Sequence, residues 1–250
     1  MLFRSLDVPK QKKFVFPSNY EDLTEMQFEI LKLSEFLLGT LGISGLQLKS
    51  ISAKLEVAPS LINHYYKNTE ELVFDTVLFS YSNLVKNIQS SNIHIKNPEI
   101  VARSWIKSMM DWTMTYPGIG VILEFPRQVL RSGSKSVDNS EKMLKVFLKE
   151  MSDIGASNVA FMASAVRALQ KGTDFKVLTP VKVASLIAVD SKFAMYASMM
   201  GFSTIGAGLW IAGRRPADQK NPAWMKLGFD PVKQTQSTIE NFMKVIKANK

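Results

Sequence analysis

Between Leu48 and Lys67 the chain carries side chains suited to reading hydrogen-bond patterns rather than to catalysis. Ser60, Asn63 and His64 are free to share one side of a short segment, while Ile51, Leu55, Val57, Leu61 and Ile62 can form a buried side. An amide and an imidazole presented this way can hydrogen-bond base edges in a major groove. Lys49, Tyr65 and Lys67 can reach phosphates. The same spacing also fits a surface helical hairpin with ordinary solvated polar residues, and spacing alone leaves both readings open.

Other chemistries find little material. There is no cysteine, which excludes disulfides, thiolate metal sites and cysteine nucleophiles, and the two histidines, His64 and His94, do not make a histidine-built metal centre. No paired carboxylates stand at metal-binding spacing, and neither a phosphate loop nor a nucleophile with a histidine partner is found. The expectation is therefore no metal, no cofactor and no enzyme activity. The net charge of +9 is placed unhelpfully: residues 1–70 hold eight basic and eight acidic side chains, so the whole excess lies beyond them. It carries no weight as a sign of DNA binding. Locally, Lys49, Lys54 and Lys67 face only Glu56.

The N-terminus has the basic cluster Lys10, Lys12 and Lys13 but no apolar stretch of signal-peptide length, so a cytoplasmic protein is expected. Phe193 to Gly213 is free of charge for 21 residues and precedes Arg214 and Arg215. Glycines and hydroxyl residues dilute it. It reads as a buried helix followed by a Gly-rich loop, with no membrane role.

The elements that must position the polar segment read as helices throughout, with no sustained strand alternation. Thr24 and Gln27 form a capping-box pattern ahead of a helix to about Thr40, and Gly42 stands where a left-handed C-terminal cap is expected. Short helices follow at about Leu48–Leu55 and Pro59–Tyr66, the second with proline at its first position. Asn68 with Glu71 caps a long helix whose Val73, Val77, Tyr81, Leu84 and Ile88 share one face. Further helices are predicted at 98–115, 118–131, 138–153, 156–171, 179–200 and 230–248. The fold class is all-α: a basic arm over 1–23, a three-helix helix-turn-helix domain over 24–72, and a larger helical bundle over 73–250, joined by the long helix.

The stretch from Ile30 to Val73 resembles the N-terminal domain of the TetR family of regulators. In that family a helix and a glycine precede Ile-Ala-x-x-Ala-Gly-Val-Ser-x-x-x-Leu-Tyr-x-Tyr-Phe-x-x-Lys-Glu-x-Leu. Here Ile51, Val57, Tyr65, Tyr66, Glu70 and Leu72 keep the order and spacing, and Gly42 falls at the glycine. Four positions depart. Glu56 replaces the turn glycine, where a left-handed backbone would cost roughly 1–2 kcal/mol. Ala58 replaces the serine cap of the recognition helix, giving up about 1 kcal/mol. Asn63 stands at the first tyrosine, and Thr69 at a lysine that often meets the DNA backbone.

The resemblance covers about a fifth of the chain and implies a transcriptional regulator, more often a repressor, that binds a palindromic operator in double-stranded DNA as a homodimer and responds to a small-molecule effector. By it, Tyr65 contacts phosphate with Lys67 assisting, and Pro59, Ser60, Asn63 and His64 form the groove-facing surface, while the aromatic at Tyr66 packs into the core. The arm could reach a minor groove through Arg4, Lys10, Lys12 and Lys13. The bundle would bind the effector. Trp105, Met109, Trp112, Met114, Phe125, Phe161 and Met162 could line a cavity for a small apolar or amphipathic ligand, or could be plain core. Arg103 and Arg167 could neutralise an acidic ligand or pair at the surface. The last two long helices would supply the dimer contact through Leu186, Phe193, Ala197, Met200, Ile239, Phe242, Met243 and Ile246, each of which could instead face its own domain. The alternative function is a ligand-binding or interaction protein of the same fold that has lost sequence-specific DNA binding.

Overall fold

The computed structural model describes residues 16–17, 20–124, 137–212 and 230–248, and among these every regular element is helical. The order is α1 (Glu25–Leu41), a 3₁₀ turn (Ile43–Gly45), α2 (Leu48–Lys54), α3 (Pro59–Tyr65), α4 (Thr69–Asn92), α5 (Pro98–Thr115), α6 (Pro117–Glu124), α7 (Val137–Lys171), α8 (Pro180–Val189), α9 (Ser191–Ala212) and α10 (Pro231–Lys247).

The caps read from sequence are present. The Gln27 amide donates to Thr24 Oγ1 at 3.3 Å while Gln27 Oε1 accepts from the Thr24 amide at 3.2 Å. The Asn68 side chain accepts from the Glu71 amide at 2.8 Å, and Glu71 Oε2 accepts from the Lys67 amide at 2.7 Å, so both ends of the α3 to α4 junction are satisfied. Gly42 differs from expectation: φ 70° with ψ −168° is an extended backbone of positive φ, not a left-handed cap, and it is open in practice to glycine alone.

α1 packs on α4 and also touches α2, which pairs with α3, and α4 runs on into the bundle, where it packs against α5 and α7. Every residue from Glu71 to Tyr81 on α4 is buried, because α1 covers one side and α6 and α7 the others. The two parts also touch directly through α1 and α6. Their backbones approach so closely that a Cβ at Gly118 would lie 2.1 Å from the Leu38 carbonyl oxygen.

Three boundaries in the bundle are corrected. Gly155 does not divide the segment around it: it lies in open space within the 35-residue α7, about 50 Å long, and a glycine there costs the helix only about 1 kcal/mol. Conversely, the helix expected over 179–200 breaks at Asp190, whose carboxylate accepts from the Phe193 amide at 2.9 Å and so caps α9. The Gly-rich stretch expected as a loop is helical to Ala212. Gly208 is what lets α9 lie against α5, since a Cβ there would sit 2.8 Å from Thr113 Cβ. The described part of the helix expected over 118–131 is α6, and Phe125 with the rest of that segment lies outside the described residues. No helix among the described residues is long and apolar enough to cross a membrane.

Candidate nucleic-acid interface

The connection from α2 to α3 is tight because its hydrogen bonds are made within it. The Leu55 amide donates to the Ile51 carbonyl at 2.9 Å and the Val57 amide to that of Ser52 at 3.0 Å. Closing the turn puts Glu56 at φ 55°, the one positive-φ residue other than glycine among those described. The departure from glycine noted in the sequence therefore falls where the backbone is left-handed. Ala58 is extended and offers no side-chain cap, and Pro59 opens α3 with its fixed φ.

α3 is seven residues long and buries one of them, Ile62. Pro59, Ser60, Asn63 and His64 are exposed, Tyr65 is half-buried, and Lys49 on α2 and Lys67 beyond α3 are exposed. The structure thus places all the polar residues singled out above at the surface around one short rod. The His64 and Tyr65 rings meet edge to face at 5.4 Å, which fixes Tyr65 beside the outward face. Of the apolar side, Ile51 and Ile62 are fully buried, while Leu55, Val57 and Leu61 are half-buried, as expected of a helix pair one layer thick. Ile62 is the one fully buried apolar anchor of α3, with Leu61 and Tyr65 half-buried beside it.

The remainder of the hold is a cluster that sequence reasoning missed. Tyr66, the residue that ends α3, is buried, as the core aromatic of the resemblance is, but its hydroxyl donates to Asp75 Oδ2 at 2.7 Å. The Tyr20 hydroxyl, from the segment ahead of α1, donates to Asp75 Oδ1 at 2.6 Å, and its ring packs edge-on against Phe79. Burial pushes the Asp75 carboxyl up to about 6, and the two hydroxyls partly oppose that rise. Both phenols are raised in turn, by their own burial first and then by the Asp75 charge. The one available signal was Asp75 itself, a charge set among Leu72, Val73, Phe74, Thr76 and Val77; Tyr20 lies 55 residues away and left no mark.

In the bundle, Trp105, Met109, Trp112, Met114, Phe161 and Met162 are all buried in the core. Their polar atoms are partnered. Trp105 Nε1 donates to Asn158 Oδ1 at 2.7 Å, Asn158 Nδ2 donates to the Tyr81 hydroxyl at 3.0 Å, and Trp112 Nε1 donates to Ser80 Oγ at 3.0 Å. Arg103 pairs with Glu99 and Glu240, and Arg167 pairs with Asp190 at 2.8 Å while lying over the Phe193 ring. Both arginines hold elements together.

The expected dimer residues need correcting. Phe193, Ala197, Met200, Ile239, Met243 and Ile246 are buried within their own subunit, because α9 and α10 pack inward on α5 and α7, and only Leu186 and Phe242 are partly open. Among the described residues, the large apolar side chains that α8 and α9 turn outward are Val181, Val189, Met195 and Met199.

Comparison with known proteins rests on structure. No family model and no curated protein matches the sequence. Among solved structures, the chain is similar to the transcriptional regulator SCO7222, a TetR from Streptomyces coelicolor, at 15% identity and a TM-score of 0.50, over 91% of this chain and 99% of that one. It is also similar to Mycobacterium smegmatis BioQ, at 11% identity and a TM-score of 0.51, over 90% of this chain and 98% of the other. The fold is that of TetR regulators along nearly the whole chain, well past the fifth of it that carries the sequence resemblance.

Proposed function

We propose that this chain is a DNA-binding transcriptional regulator: a homodimer that reads a palindromic operator and, as a repressor, leaves it when a small apolar or amphipathic ligand binds. One observation carries the reading. On the seven-residue α3, Ile62 is buried while Pro59, Ser60, Asn63 and His64 face outward, with Lys49 and Lys67 exposed to either side. In this reading Asn63 and His64 discriminate bases, and Tyr65, Lys49 and Lys67 bind phosphates. It is a regulator and not an enzyme, working in the cytoplasm.

A single short helix covers little of a duplex, and a symmetric pair reading two half-sites is the usual remedy. The open apolar side chains of α8 and α9 support pairing with a second copy there. For the ligand, Trp105, Met109, Trp112, Phe161 and Met162 are the candidates. Because the indoles, Asn158, Tyr81 and Ser80 satisfy one another, a ligand enters by exchanging one of these bonds for its own.

A second reading draws on Glu56 and Ala58: a strained turn and an uncapped α3 suit a protein of this fold that has lost sequence-specific binding. Salt dependence separates the two. The regulator binds a selected duplex with an affinity that falls steeply with salt, and Lys49→Ala or Lys67→Ala each lowers the log–log slope by about 1. Binding no stronger than to unrelated duplexes favours the second reading.

A further inference from the structure

α3 leaves the helix pair with one buried side chain, and Tyr66 then turns the chain towards α4. Apolar contacts are non-directional, so they hold such a helix near α4 without fixing its tilt. Asp75 supplies direction. It is 1% exposed, and each of its oxygens accepts one phenolic hydroxyl, from Tyr66 at the end of α3 and from Tyr20 ahead of α1. Three segments therefore meet at one carboxylate on the helix that continues into the bundle. A buried charge is a poor choice for stability, since an apolar side chain would pack there at lower cost. What it offers is two short, charge-assisted, oriented bonds.

We propose that Asp75 is the positioning residue of the reading helix, tying the end of α3 and the segment ahead of α1 to a single point on α4. The consequence for DNA rests on the function proposed above, whereas the tether itself does not.

The titratable groups around this point are Tyr65 and Tyr66 at the end of α3, Glu71 on α4, Tyr20 ahead of α1 and Glu150 on α7, all acidic or phenolic. Lys32 of α1 is turned to the Phe79 ring and to Glu35. Folding takes the Asp75 carboxylate out of water, and Tyr66 at the end of α3 covers one of its oxygens, so seating is favoured by protonation and the tether has a pH signature. A merely space-filling residue has none.

The test is deuterium exchange of the α3 amides, expressed as protection so that intrinsic rates cancel, in the full chain and in Tyr66→Phe, Tyr20→Phe and Asp75→Asn. In the parent, α3 protection rises about tenfold between pH 7.5 and pH 5, while in Asp75→Asn it is flat. Tyr66→Phe keeps the ring but loses the bond, and lowers α3 protection about tenfold at pH 7.5 with α5 amides unchanged. Tyr20→Phe, at a half-buried site, does the same to a smaller degree and serves if Tyr66→Phe does not fold. Against a duplex recovered by selection, Tyr66→Phe weakens binding severalfold with an unaltered salt slope, because phosphate contacts are untouched. Protection of α3 that is equal in parent and variants, or a pH response that survives in Asp75→Asn, overturns the tether. A parent that selects no duplex instead overturns the DNA reading, and exchange still decides the tether.

Discussion

Tyr66 and Asp75 stand nine residues apart, and the phenol of one donates to the carboxylate of the other at 2.7 Å inside the core of the N-terminal unit. This bond gives a reason for tyrosine where the TetR resemblance has phenylalanine. The ring fills the same apolar space, and the added hydroxyl finds an acceptor in the Asp75 carboxylate.

The Asp75 carboxyl, raised to about 6 by burial, makes global stability depend on pH. Its proton is bound more tightly in the folded than in the unfolded chain, so this contribution is full below about pH 4 and is lost as pH rises through about 6. Between pH 7.5 and pH 5 the parent should gain about 1 kcal/mol in urea unfolding relative to Asp75→Asn. An equal pH response in the two proteins would show that Asp75 does not titrate in this range.

Glu56 holds φ 55° in the turn before α3. Glu56→Gly removes the side-chain clash of a left-handed backbone and should stabilise the chain by about 1 kcal/mol in chemical denaturation. A loss of stability would mean that the Glu56 side chain supplies something beyond its backbone conformation.

Ala58 leaves the first amides of α3 without a side-chain acceptor. Ala58→Ser should add about 1 kcal/mol, read in the same assay. Because Glu56 and Ala58 flank Val57 in one turn, the double variant is expected to depart from the sum of the two.

Gly118 lies against the Leu38 carbonyl oxygen, where a Cβ would approach to 2.1 Å. Gly118→Ala should cost about 2–3 kcal/mol, since backbone has to move, and should raise exchange of the amides in the second half of α1. Gly155→Ala, in open space on α7, is the control and should be neutral or slightly stabilising.

Much of this structure was legible in the residues. Local chemistry shows in sequence, so Thr24, Asn68 and Pro59 marked helix starts correctly, and the period of Val73, Val77, Tyr81, Leu84 and Ile88 marked the buried face of α4. The outward set on α3 was legible for the same reason, since Ile62 defines the opposite side. Long-range relations were not. Nothing near Tyr20 announces Asp75, and nothing near Gly208 announces Thr113. The inward packing of α9 and α10 was hidden as well, because an apolar stripe looks alike whether it meets its own domain or a second copy.

The most direct test of the central claim is selection of bound duplexes from a random pool by the full chain. The account predicts enrichment of an inverted repeat whose half-sites lie about one helical turn, roughly 10 base pairs, apart. It further predicts that Asn63→Ala shifts the enriched bases, while Tyr65→Ala weakens binding without shifting them. A pool that shows no enrichment, or the same enrichment with Asn63→Ala and undiminished binding with Tyr65→Ala, would contradict the assignment of α3 as the reading helix.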